Sequence, residues 1–154
     1  MSGQKDFNYQ QEMGRLRDHF DFDFVGLALV QSVEFRFELK WVFTIGNRSN
    51  RYRRIVLQTG KGIVGHVFKT GKPLLVEDAE KMIGRKDLYN YPIIVAEGLK
   101  SFGAIALYEY NRVKGVLLVG YRTEEKLTLE CFTEFKQVVG PTFGQFFNKE
   151  MVGN

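Results

Sequence analysis

The chain has 154 residues with 22 Lys+Arg against 18 Asp+Glu, a formal charge of +4; that length suits one domain spanning 1–154 with a core of its own. Hydrophobic residues at 44% and charged residues at 26% exclude a disordered chain, and one cysteine with two histidines excludes a disulfide framework and argues against zinc. No apolar stretch is long enough for a bilayer, the first residues carry no apolar leader, and +4 is weak grounds for nucleic acid, so the expected setting is the cytoplasm, with no membrane or nucleic-acid partner. Fourteen Phe and sixteen Gly stand out, pointing to a ring-rich core or pocket and to tight turns.

Residues 6–20 read as a helix, with Met13, Leu16 and Phe20 at helical spacing, and residues 24–30 as a buried strand. Over 34–43, Phe35, Phe37, Leu39, Trp41 and Phe43 alternate with Glu34, Arg36, Glu38, Lys40 and Val42. That period of two predicts one apolar face, with Trp41 inward and its indole N–H in need of a partner. Residues 46–54 form a polar, basic turn. A short strand over 55–57 leads to a glycine turn and a helix that stops at Gly71, then a strand over 74–76 and an irregular or helical stretch over 79–89. Pro92 opens a short helix that Asn90 would cap and Gly98 close. Strands over 101–110 and 113–121 form a hairpin about Asn111 and Arg112. Thr128 caps a last helix carrying Phe132, Phe135, Val139, Phe143 and Phe146, interrupted at Pro141. Helices at both ends and antiparallel strands between them predict an α+β domain.

Gly60-x-Gly62-x-x-Gly65 matches the dinucleotide-binding fingerprint in letters only, because too few residues follow for a parallel crossover. Lys69-Thr70-Gly71-Lys72-Pro73 has Pro where a phosphate loop needs Ser or Thr. What remains is a glycine turn opening a helix, with free N–H groups at Ile63 and Val64 at the positive end of a helix dipole. Pro92 lacks an N–H, so Ile93 supplies the first donor of a second short helix beside Tyr91. If both termini and the Trp41 indole converge, they form a donor-only cage with apolar walls and no Lys or Arg. The bland readings are an ordinary turn and ordinary capping. The run Arg48, Arg51, Arg53, Arg54 reads as a solvated loop, or as anion steering or docking of an acidic partner. The terminal Phe stripe reads as core, with a homodimer through the terminal helices as its second reading. Cys131, near a helix start, would have a modestly lowered pKa and pack inertly, and no catalytic set is evident, so the chain reads as a non-enzyme.

The block from Gly60 to Asp78, Gly-Lys-Gly-Ile-Val-Gly-His-Val-Phe-Lys-Thr-Gly-Lys-Pro-Leu-Leu-Val-Glu-Asp, resembles the central signature of GAF domains, and the hairpin ending Gly-Val-Leu-Leu-Val-Gly resembles their final strand pair. Within that family the chain is most similar to the stand-alone nitrate receptors of staphylococcal-type nitrate and oxygen sensing (NreA type). The matching pieces are Gly46-Asn-Arg-Ser-Asn-Arg-Tyr52, the glycine block, Leu88-Tyr-Asn-Tyr-Pro-Ile93, and Trp41. The resemblance implies a central antiparallel sheet of five to six strands, terminal helices on one face and short helices over a ligand pocket on the other. It further implies a nitrate ion, with no other cofactor, held at Trp41, Ile63, Val64, Tyr91, Pro92 and Ile93. The implied role is modulation of a sensor histidine kinase in a two-component system controlling nitrate respiration. The alternative is a GAF module for another effector: a cyclic nucleotide, an amino acid or a tetrapyrrole. The third class, a free methionine sulfoxide reductase, needs more cysteines than Cys131.

Overall fold

The computed structural model describes residues 7–34 and 36–150. Its elements are α1 (Tyr9–Phe20), β1 (Phe24–Val33), β2 (Arg36–Ile45), a 3-10 turn (Arg51–Arg54), α2 (Gly62–Thr70), β3 (Leu74–Val76) and α3 (Ala79–Met82). A second 3-10 turn (Asp87–Asn90) precedes α4 (Pro92–Glu97), β4 (Ser101–Glu109), β5 (Arg112–Tyr121), α5 (Leu129–Val139), β6 (Thr142–Phe143) and β7 (Phe146–Phe147). The strands form one antiparallel sheet in the order β2-β1-β5-β4-β7-β6, with β3 also on the outer edge of β4.

Both faces of this sheet are covered. Val25, Leu27, Ile105, Leu107, Leu117 and Val119 point to a core closed by α1, α5 and the β6–β7 hairpin. Phe24, Ala28, Phe102, Ala104, Val116 and Leu118 point the other way, to a second core under α2, α3 and α4. Double burial is why β4 and the end of β5 read as unbroken apolar runs rather than alternations. The predicted α+β class and the placing of the terminal helices opposite the short helices agree with this architecture.

The alternation over β2 does not survive intact. A bulge shifts the register so that Phe43 pairs with Leu27 but Trp41 with Ala28. Leu27 and Ala28 face opposite cores, so Phe43 joins the terminal-helix core while Trp41 joins the short-helix core. One extra residue reverses every side chain beyond it. Phe37, expected inward, is 75% exposed, because β1 and β2 run on as a ribbon past Leu29, where the pairing with β5 stops. Phe35 and the predicted helix start at residue 6 lie outside the described residues; Asn8 caps α1 through its side chain on Gln11 N–H at 3.0 Å.

Other boundaries shift for local reasons. The β4–β5 turn centres on Tyr110 and Asn111, both at positive φ, one residue earlier than Asn111–Arg112; two such residues match the twist of a tight hairpin. Thr128 caps α5 on Cys131 N–H at 3.1 Å as expected, but the helix ends at Val139. Pro141 cannot continue it, and Phe143 and Phe146 reach the core from the β6–β7 hairpin instead. Buried Asn148 donates to Lys136 O at 3.0 Å and Gly140 O at 2.9 Å, satisfying carbonyls that the helix leaves open.

Candidate functional site

Residues 55–57, predicted as a strand, are irregular, as is Gln58. They fold back against α2 because Gly60 N–H donates to Gly65 O at 2.8 Å and Lys61 N–H to Gln58 O at 3.1 Å. Gly65 makes this approach feasible: a Cβ there would fall 2.0 Å from Gln58 O. Lys61 occupies the N-cap of α2 without a side-chain cap bond. The first-turn N–H groups of Gly62, Ile63 and Val64 therefore have no intrahelical acceptor and sit at the positive end of the helix.

A second helix start faces it. Tyr91, not Asn90, is the N-cap residue of α4, and no side chain caps it. Tyr91 O accepts from Ile94 N–H at 3.0 Å and Val95 N–H at 3.2 Å, which leaves Ile93 as the leading donor because Pro92 has none. The C-terminal end of α4 is held firmly. Glu97, 0% exposed, accepts from Arg122 Nη2 and Arg48 N–H, both at 2.8 Å, while Arg122 Nε donates to Glu97 O at 2.7 Å. Arg122 Nη2 also reaches Gly46 O at 3.0 Å, tying α4 to the end of β2.

Between the two helix starts lies a cavity of about 160 Å³. Ile63, Val64, Tyr91, Pro92 and Ile93 all line it, so the fold brings together five of the six residues singled out in the sequence. Trp41 does not line it. It packs in the same buried cluster as Ile63, Val64 and Ile93 and faces a neighbouring cleft of about 650 Å³ with Leu39, Tyr52, Ile55 and Phe68. Its ring lies over Gly26, where a Cβ would come within 2.7 Å of the indole, and edge-on to Phe24 at 6.3 Å. Trp41 is 6% exposed, and its Nε1–H has no partner. A buried unpaired donor is costly, and Glu97 Oε2 is its one counterpart among the described residues.

Two expectations are corrected here. The cavity is not free of Lys: Lys61, the exposed N-cap residue of α2, is on the lining. Cys131 is not lowered; burial pushes its thiol up, and the Tyr121 hydroxyl 3.8 Å away offsets that in part. Burial also raises Tyr121, whose hydroxyl donates to Phe20 O at 2.6 Å. Neither group is near the cavity. On the cleft, Arg53 Nε donates to the Tyr52 hydroxyl at 3.2 Å and lowers its pKa. The residues that sequence reasoning missed are the 55–58 wall and Tyr89. Val56 is 77% exposed and Tyr89 83% exposed although both line the cavity, and their apolar letters suggested a strand and an irregular stretch. Among the described residues, no group of three or more His, Cys, Asp or Glu could hold a metal, and no helix is long and apolar enough to cross a membrane.

The family model for the GAF domain matches residues 9–139, and the chain belongs to that family. A mutated NreA protein, altered in its nitrate binding site, from Staphylococcus aureus is 33% identical and superposes with a TM-score of 0.70. The match covers 75% of this chain and 83% of that one. A hypothetical protein from S. aureus is likewise 33% identical, with a TM-score of 0.70 and coverage of 75% and 93%. The resemblance to NreA-type GAF proteins thus holds. A free methionine-R-sulfoxide reductase from Neisseria meningitidis, 18% identical with a TM-score of 0.63 and coverage of 82% and 68%, shares the fold. No curated protein sequence matches.

Proposed function

We propose that the chain is a nitrate-binding sensor, folded as one GAF unit over 1–154, that acts in the cytoplasm on a partner sensor histidine kinase. The observation that carries this reading is the pair of uncapped helix starts on one small cavity. Its 160 Å³ equals about five water volumes at ~30 Å³ each, well below the ~300–1,000 Å³ typical of organic ligands. Main-chain N–H donors and apolar walls suit a small, weakly hydrated anion that offers acceptors only. Phosphate or sulfate would require fuller charge compensation. The NreA-type relatives support nitrate in particular. In this reading Ile63, Val64 and Ile93 donate from the main chain, Tyr91 and Pro92 form the wall, and Trp41 completes the site from the cleft side. Nitrate then orders α2 and α4, and the nitrate-free form restrains the kinase of a two-component system controlling nitrate respiration.

The 650 Å³ cleft beside Trp41 favours a second reading, a larger organic effector such as a cyclic nucleotide, an amino acid or a tetrapyrrole. Calorimetric titration of the exhaustively dialysed chain with nitrate, nitrite, chloride and sulfate decides between them. Saturable heat from nitrate and none from sulfate is expected. A folded chain that takes up no nitrate would refute the proposal.

A further inference from the structure

Outside the cavity wall, a groove of about 290 Å³ runs between the Arg51–Arg54 turn and α4. It is lined by Arg51, Arg54, Ile55, Tyr89, Pro92 and Val95, and no carboxylate is among its lining residues. Tyr89 and Val95 are exposed large side chains. None of the ion pairs among the described residues uses Arg51, Arg53 or Arg54. The acids on the adjoining elements do not neutralise them: Asp87 is on the far end of the turn that carries Tyr89, and Glu97 is committed to Arg122 and Arg48 N–H. Arg and Tyr around an apolar centre are the residue types that dominate protein–protein binding energy. A volume of this size takes one or two apolar side chains, and the exposed guanidiniums match carboxylates set beside them.

Ile55, Tyr89 and Pro92 line both this groove and the anion cavity. These three side chains form a shared wall, so an occupant that shifts them from one side alters the lining of the other. We propose that the groove is the docking site for an acidic protein segment anchored by an apolar side chain, and that docking is linked to cavity occupancy through the Ile55–Tyr89–Pro92 wall. The linkage rests on the nitrate reading; the docking site does not. Arg51 and Arg54 orient the carboxylates, Tyr89 and Val95 receive the apolar anchor, and the coupling is reciprocal by thermodynamic necessity.

The probe is a set of synthetic 12-residue peptides carrying alternate Asp or Glu and one central Leu, Phe or Trp. Each is measured by fluorescence polarisation on the full chain, nitrate-free and nitrate-saturated. Acidic peptides should bind at least tenfold more tightly than their Asn/Gln counterparts, and more weakly as salt rises. The Arg51→Ser/Arg54→Ser double variant should lose at least tenfold in peptide affinity while its nitrate titration stays unchanged, since neither residue lines the cavity. Saturating nitrate should change peptide affinity at least threefold. Equal binding of acidic and neutral peptides, or full affinity in the double variant, overturns the docking site. So does binding of phosphatidylglycerol vesicles or an oligonucleotide through Arg51 and Arg54 when no peptide binds. Peptide affinity that ignores nitrate in a chain that binds nitrate overturns the linkage. Peptide binding through the Arg pair in a chain without nitrate heat overturns the nitrate reading and upholds the docking site.

Discussion

Trp41→Phe separates the cost of an unpaired donor from its use. The Trp41 Nε1–H is buried without a partner among the described residues, which costs about 1–3 kcal/mol. Phe removes that cost, and it also removes part of an indole packed on Gly26 and edge-on to Phe24. Losing that volume costs roughly 1–3 kcal/mol. The two effects oppose each other and leave a net of about 2 kcal/mol at most in either direction, so the melting temperature without nitrate should move by about 8 °C or less at ~2–4 °C per kcal/mol for this size. Binding has no such compensation. In the proposed reading the indole donates to the anion from the cleft side, and a hydrogen bond to a charged acceptor is worth about 1.5–3 kcal/mol, so losing the donor should weaken nitrate about 10- to 150-fold. Calorimetry on both proteins, with melts taken with and without nitrate, reads the two effects separately. A folded Trp41→Phe chain with nitrate affinity within twofold of wild type would refute the assignment of the indole to the site.

Gly65→Ala should lower nitrate affinity at least tenfold and cost about 1–3 kcal/mol of stability, because its Cβ overlaps Gln58 O and must push the 55–58 wall aside. Gly14→Ala is the matched control: a Cβ there meets only Ile45 Cδ1, at 3.7 Å, so urea denaturation should show a gain of about 0.5–1 kcal/mol. Arg122→Met strands the fully buried Glu97 carboxylate and should cost about 3–5 kcal/mol; a melting temperature within 2 °C of wild type, roughly one kcal/mol or less, would show that Glu97 is held by other groups. Burial keeps the Cys131 thiol and Tyr121 phenol protonated beyond their ordinary values of 9.0 and 10.0. Above those values the unfolded chain has released protons that the folded chain keeps, so stability should fall as pH rises. Denaturation midpoints across the alkaline range should therefore decline, and Cys131→Ala should make the first part of that decline shallower.

Trp41 shows how far the letters reach. Its burial and its need for a partner were legible from alternation alone. Which core it enters was not, because the bulge opposite Leu27 and Ala28 is set by how β1 and β2 pair, and nothing in residues 36–45 announces it. The Ile55–Leu57 letters misled in the opposite direction. Three apolar residues have strand character, yet they pair with no strand of the sheet, and Gly60 and Gly65 fold them over α2 as a cavity wall. Phe143 and Phe146 kept their core role after losing their helix, since burial tolerates any backbone that delivers the ring.

Local chemistry alone determined the helix starts at Gly62 and Pro92, their stops at Gly71 and Gly98, and the supply of uncapped N–H donors, because each depends on residues within one or two turns. Only tertiary structure decided that these two starts, thirty positions apart, open onto one cavity while Trp41 falls on the cleft beside it. Those positions depend on sheet register and on chain reversals between distant segments, and no short-range pattern encodes a distance between elements.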